Sequence, residues 1–172
     1  EIQVTFFCKI SETSGNIPLV QDFKIFKVLL EELAIHVRQR RDLTVTGGPL
    51  QFMRGKVEHT MTVYSYAMEI QQDEGGDPLT VQAAALLHDI GIPRAREVRG
   101  SSAGKYQEIE GPPIAREIMT DLGMKKGRIS SVCGIIANHH SAADPEIVGT
   151  PEFAAVWDAD WLVNFPGRYR DK

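Results

Sequence analysis

The chain of 172 residues is 42% hydrophobic and 24% charged, the balance of a globular domain long enough to bury a core. Its net charge of −4 argues against a general nucleic-acid or membrane-surface binder, and no apolar run approaches the roughly 20 residues that span a bilayer. Two cysteines, Cys8 and Cys133, make no disulfide framework, and no charged-then-apolar leader is visible, so a reducing cytoplasm is the expected compartment.

The first segment differs from the rest. Residues 1–10 (EIQVTFFCKI) are β-branched and aromatic enough for a strand, and Ser14-Gly15-Asn16 with Pro18 marks a turn. From Gln21 to Arg41, Phe23, Phe26, Val28, Leu30, Leu33 and Val37 are spaced like the buried stripe of a helix. Gly47-Gly48-Pro49 then breaks the chain. This pattern divides the sequence into an appendage over residues 1–48 and a main domain over residues 49–172.

The main domain reads as all-α, a compact bundle of five or more helices. Over residues 51–71, Val57, Met61, Tyr64 and Met68 recur at spacings of three and four, with His59 beside them. Asp77 is placed as an N-cap with Pro78 in the first helical turn, and Leu79 to Asp89 (containing AAALLH) is too apolar for a surface helix, so it should cross the core. Gly91 and Pro93 end it. Residues 94–111 are basic and glycine-bearing, a loop or a short helix. Pro112-Pro113 is expected to open the next helix, which ends near Gly123. Residues 125–140 form another, Pro145 and Pro151 bound a loop, and Phe153 to Val163 is the last.

Four of the five histidines fall in one ordered series with aspartates: His59, His88-Asp89, His139-His140, then Asp160. Imidazole and carboxylate groups are what a protein uses to hold catalytic divalent metals. His88 and Asp89 are adjacent, and helical neighbours project about 100° apart, so both reach one ion only if it sits near the helix end. An apolar helix would bury that end, where an aspartate needs a partner or an ion. His59 and Asp160, from other helices, can complete a site of two histidines and two carboxylates with positions left open for water and substrate.

Each member also has a plain structural explanation. His59 alone is compatible with a half-buried structural histidine, and His139-His140 with the favourable charge of a helix C-terminus. Asp160 alone is compatible with a surface carboxylate, and His36, near Arg38 and Arg40, is assigned no functional role. The order of the whole series is what favours a metal centre.

With those residues in view, His59…His88-Asp89…Asp160 resembles the HD-domain superfamily of metal-dependent phosphohydrolases. AAALLHDIG is similar to the family's central helix, ANHHS to its later histidine segment, and EFAAVWDADWL to its final aspartate helix. The similarity covers roughly residues 50–165 and does not extend to residues 1–48. It implies an all-helical fold and hydrolysis of a phosphate ester or nucleotide at one or two divalent metals.

Carried over, His59, His88, Asp89 and Asp160 hold the first metal. In two-metal branches Asp89 bridges, and a further histidine joins His139 and His140 around a second ion. Here QEIEGPPIAREIM stands in that place and the matching residue is Glu110, a departure from the pattern. As a ligand, its hard oxygen would tilt the second site toward Mn, Fe or Mg rather than Zn. Its other reading is a carboxylate near a helix N-terminus. The Gly-Tyr-Pro signature is missing after the paired histidines (SAADPEIVG), which disfavours a cyclic dinucleotide phosphodiesterase of that branch.

Arg94, Arg96, Arg99 and Lys105 follow the His-Asp pair. Arginine grips phosphate through a bidentate fork, so this stretch is the candidate substrate-binding segment, with a solvated basic loop as the other reading. The expected reaction is attack of a metal-activated water on phosphorus, with Asp89 fixing the water. His139 or His140 either binds the second metal or protonates the leaving oxygen. The partner is then a small phosphorylated molecule. Two rival classes stand beside the hydrolase: a di-iron oxygenase on the same fold, and a metal-stabilised binding or regulatory domain without turnover.

Overall fold

Asp77 shows how the core helix is started and fastened. In the computed structural model, which describes residues 48–168, its Oδ2 accepts hydrogen bonds from the Thr80 N–H at 3.2 Å and the Thr80 hydroxyl at 2.6 Å. Pro78 follows in the first turn, where its missing N–H costs nothing. The Arg128 guanidinium forks onto the same carboxylate, with Nε 2.6 Å from Oδ2 and Nη2 3.1 Å from Oδ1. The Asp77 N–H donates to Glu152 Oε1 at 2.7 Å. One cap therefore joins three segments that are far apart in sequence.

The described helices are α1 Gly48–Glu74, α2 Pro78–Leu87, α3 Ile92–Arg99, α4 Gly104–Asp121, α5 Lys126–Asn138, α6 Pro145–Val148 and α7 Pro151–Arg168. The fold is all-helical, with no strand among the described residues. The expected strand over 1–10 and helix over 21–41, with Cys8 and His36, lie outside the described residues.

Helix α2 crosses the core as its composition requires. Every residue from Thr80 to Leu87 is buried. Ala83, Ala84 and Ala85 have no exposed surface, and such small side chains let neighbouring helices approach closely. Helices α1, α5 and α7 pack on α2, α1 lies along α7, and α4 lies along α5. Leu87 interlocks with a core that includes Val63 and Ala67 of α1, Val132 and Ile136 of α5, and Val156 and Ala159 of α7. Removing a buried side chain of that size costs about 2–5 kcal/mol.

Three local expectations are corrected, and a fourth is resolved. The core helix stops at Leu87, so His88 and Asp89 belong to the turn that follows it rather than to its last residues. Pro112 and Pro113 do not open a helix but lie inside α4, which begins eight residues before the first of them. Each proline removes one i→i−4 bond, and packing of α4 along α5 and over Gly91 outweighs that local penalty. Of the two readings of the basic stretch 94–111, the short helix is present as α3, ended at Gly100 with a φ of 66° in the left-handed region, and the stretch also holds the first part of α4. The segment between Pro145 and Pro151 contains the single turn α6, capped by Asp144.

Gly91 has a different role from the expected helix stop. A β-carbon there would lie 2.6 Å from the Gln107 carbonyl oxygen and 2.7 Å from the Gly111 nitrogen. The α4 backbone thus crosses directly over the turn that carries His88 and Asp89. Among the described residues, no helix is long and apolar enough to cross a membrane, and Cys133 is a free, buried thiol.

Candidate metal centre

Two histidines are set by the same local device. His88 caps α2 and His139 caps α5, and each ring Nδ1 lies 2.7 Å from the carbonyl oxygen three residues earlier, Ala85 and Ile136 respectively. A carbonyl can only accept, so Nδ1 carries a proton in both rings, which leaves Nε2 as the atom that can ligate. This is the tautomer a metal ligand needs, held by a backbone acceptor as ligating histidines commonly are.

The possible ligand atoms converge. His88 Nε2 is 3.3 Å from His59 Nε2, on α1. Asp89 Oδ2 is 3.8 Å from each of these nitrogens, and Asp160 Oδ1, on α7, is 3.2 Å from His59 Nε2 and 3.7 Å from His88 Nε2. Donors at bond lengths near 2.1 Å around one ion are about 3.0–3.4 Å apart, so this set lies close to a ligand shell. On the other side of the same carboxylate, Asp89 Oδ1 is 4.0 Å from His139 Nε2. His59, His88 and Asp89 form one group of converging donor atoms, and Asp89, His139 and His140 form a second.

His139 gives the clearest sign that a cation fits. Its side chain is 2% exposed, and its Nε2 is buried without a hydrogen-bond partner. A buried orphan acceptor is costly in a finished core, whereas a coordinated ion satisfies it. Burial, aided by His88 and His140, pushes its pKa down to about 4, which keeps the ring neutral.

The carboxylates are held ionised. Burial would raise Asp89, but the charge of His88, the charge and hydrogen bond of Lys56, and His139 outweigh it and hold the group well below the usual carboxylate range. Asp160 is lowered against its own burial by the His59 hydrogen bond and the charges of His88 and His59. Asn164 donates to its Oδ1 at 2.9 Å and steadies it.

The other named residues divide. Glu110 lies in neither group of donors. Its Oε1 accepts from Arg99 Nε at 3.3 Å and Nη2 at 3.2 Å. Arg94 pairs with Glu97 at 3.0 Å on the exposed face of α3, the helix that also carries Arg96. Lys105, in the first turn of α4, lies 4.9 Å from the centroid of the Tyr106 ring, and Arg99 lies 5.9 Å from it.

Two residues that touch the centre are not among those singled out from the sequence. Lys56 Nζ donates to Asp89 Oδ2 at 3.0 Å. It precedes His59 by one turn and so shares its helix face, a signal available from spacing alone. Glu108, not Glu110, is the carboxylate that touches the histidine pair: its Oε1 accepts from the N–H groups of His140 and Ser141 at 2.9 and 2.7 Å. Gly104 completes that contact, since a β-carbon there would stand 2.7 Å from His140 Cγ. No sequence signal separates Glu108 from its neighbour.

An all-helical bundle with an imidazole–carboxylate centre at its helix ends defines a class. The HD domain family model matches residues 57–164, a span that includes His59 and Asp160, and the chain belongs to the HD domain family. Among solved structures it is similar to a predicted HD superfamily hydrolase from an uncultured Thermotogales bacterium. That similarity runs at 21% identity with a TM-score of 0.55 and covers 80% of this chain and 67% of the other, a likeness of fold. No curated protein matches the sequence significantly.

Proposed function

We propose that residues 49–172 form a metal-dependent phosphohydrolase domain acting on a small phosphate ester or nucleotide. The observation that carries this reading is the single carboxylate of Asp89 set between two imidazole groups, with Oδ2 toward His59 and His88 and Oδ1 toward His139. His59, His88, Asp89 and Asp160 would hold a first divalent cation, and Asp89, His139 and His140 a second. Glu110, engaged by Arg99, is left outside this ligand set. The remaining donors at the second position are two imidazoles and a carboxylate, which suit Fe, Mn or Zn.

When bound, such a cation supplies a lower pKa for its water and neutralises charge on a phosphoryl group. The protein's own share is orientation. The fixed tautomers of His88 and His139 keep their lone pairs on the centre, and Asp89 and Asp160 remain acceptors throughout the neutral range. His140 is exposed, with its ring 4.0 Å from that of His139, so its alternative role, where it does not ligate the second cation, is to pass a proton from solvent to a leaving oxygen. Lys105 follows Gly104, which packs on His140. That contact supports a phosphate-binding role for Lys105, with Arg94, Arg96 and Arg99 further along the same basic stretch.

The test is metal analysis of protein purified without added metal, followed by a screen of nucleotides, phosphomonoesters and phosphodiesters. We expect bound divalent metal and turnover on part of the panel, both lost in Asp89→Ala. Metal binding without hydrolysis across the panel, oxygen consumption by an iron pair, or full metal content in Asp89→Ala would overturn the reading.

A further inference from the structure

Lys56 presents a conflict of charge. Its ammonium holds Asp89 Oδ2 at 3.0 Å, the same oxygen that stands 3.8 Å from the Nε2 atoms of both His59 and His88. A cation bonded to that oxygen at about 2.1 Å would lie within roughly 5 Å of an ammonium that stayed in place. A divalent ion and a lysine at that separation repel strongly in a half-buried site. The side chain is 30% exposed, however, and a lysine's four-carbon stem is flexible enough to take its charge elsewhere.

An oxyanion resolves the conflict. A phosphoryl group bound beside the ion offers the displaced ammonium a new acceptor close to the one it left, and it screens the two cations from each other. Lys56 precedes the span matched by the family model, which begins at residue 57. We propose that Lys56 is a phosphate-binding residue that rests on Asp89 in the metal-free protein. It therefore opposes binding of the metal alone and strengthens binding of phosphate to the metal-loaded protein. This rests on the phosphohydrolase reading for its ligand class and adds an order of events: metal frees the lysine, and the lysine then helps to hold the phosphate.

The two effects have opposite signs, which a purely structural role cannot produce. The full chain, stripped of metal by chelation, is titrated with Mn2+ by calorimetry. The Mn-saturated protein is then titrated with inorganic phosphate. Lys56→Met should bind Mn2+ more tightly and phosphate more weakly, each by about tenfold for a charge-assisted contact of intermediate exposure. Lys56→Arg, which keeps the charge, should retain most of the phosphate affinity. Unchanged or weaker Mn2+ binding in Lys56→Met overturns the proposal, and so does unchanged phosphate binding. Should the Met variant fail to fold, Lys56→Gln removes the same charge and is read by the same criteria. Neither titration requires turnover, so an absence of hydrolysis would refute the proposed function while leaving the lysine assignment to be decided by these two constants.

Discussion

Acidification should destabilise the metal-free protein through His139, and the size of the effect follows from its surroundings. Burial, with His88 and His140 nearby, holds this imidazole at about 4 in the folded protein, against an ordinary 6.5. The unfolded chain therefore takes up a proton below about pH 6.5 that the folded chain refuses until about pH 4. Stability is unaffected above that window, falls as pH drops through it, and has lost its full amount below it. At about 1.4 kcal/mol per tenfold, the complete loss is roughly 3 kcal/mol, and at pH 5 it is about 2 kcal/mol. Asp89 and Asp160 do not interfere, because their depressed values give stability that is present above the unfolded carboxylate pKa, near 4, and is lost only below it. Urea unfolding in the presence of chelator at pH 7 and pH 5 measures the loss. His139→Gln retains a donor able to reach the Ile136 carbonyl and removes the titration, so its stability should change about 2 kcal/mol less over the same interval. An equal loss in wild type and variant would show that His139 does not carry the effect.

The contact between α4 and the histidine pair allows a second test. Gly104→Ala puts a β-carbon 2.7 Å from His140 Cγ, so His140 must shift. Metal stoichiometry should fall from near two toward one with little change in melting temperature, and an unchanged stoichiometry would detach His140 from the centre. Asp77→Ala removes an N-cap and the partner of Arg128, which should cost about 1–2 kcal/mol. Thermal unfolding should register this as a drop of a few degrees, with part of it recovered in Asp77→Asn, which keeps a capping oxygen.

How much could be read without the structure depends on the range of the interaction. The Asp77-Pro78 start, the buried run through Leu87 and the cap of α6 by Asp144 are local matters of backbone donors and near neighbours. The residues that impose the first two stand next to the groups they satisfy, and both were legible from sequence. His59, His88, Asp89, His139, His140 and Asp160 were legible as a series because metal chemistry restricts the residue types that can serve. Their convergence was not, since it arises where the ends of α2 and α5 meet α1 and α7. The helix through Pro112-Pro113 defied a local rule because packing against α5 and Gly91 outweighs two missing hydrogen bonds. Glu108 and Glu110 are equivalent as letters in QEIEG. One carboxylate reaches the His140 backbone and the other reaches Arg99 only because of the rotation of α4 about its own axis. Lys56 likewise gains its meaning from Asp89, 33 residues away. Short-range hydrogen bonding and residue chemistry are written along the chain, whereas the partner of a charged side chain is settled by which helices pack, and packing is a property of the whole core.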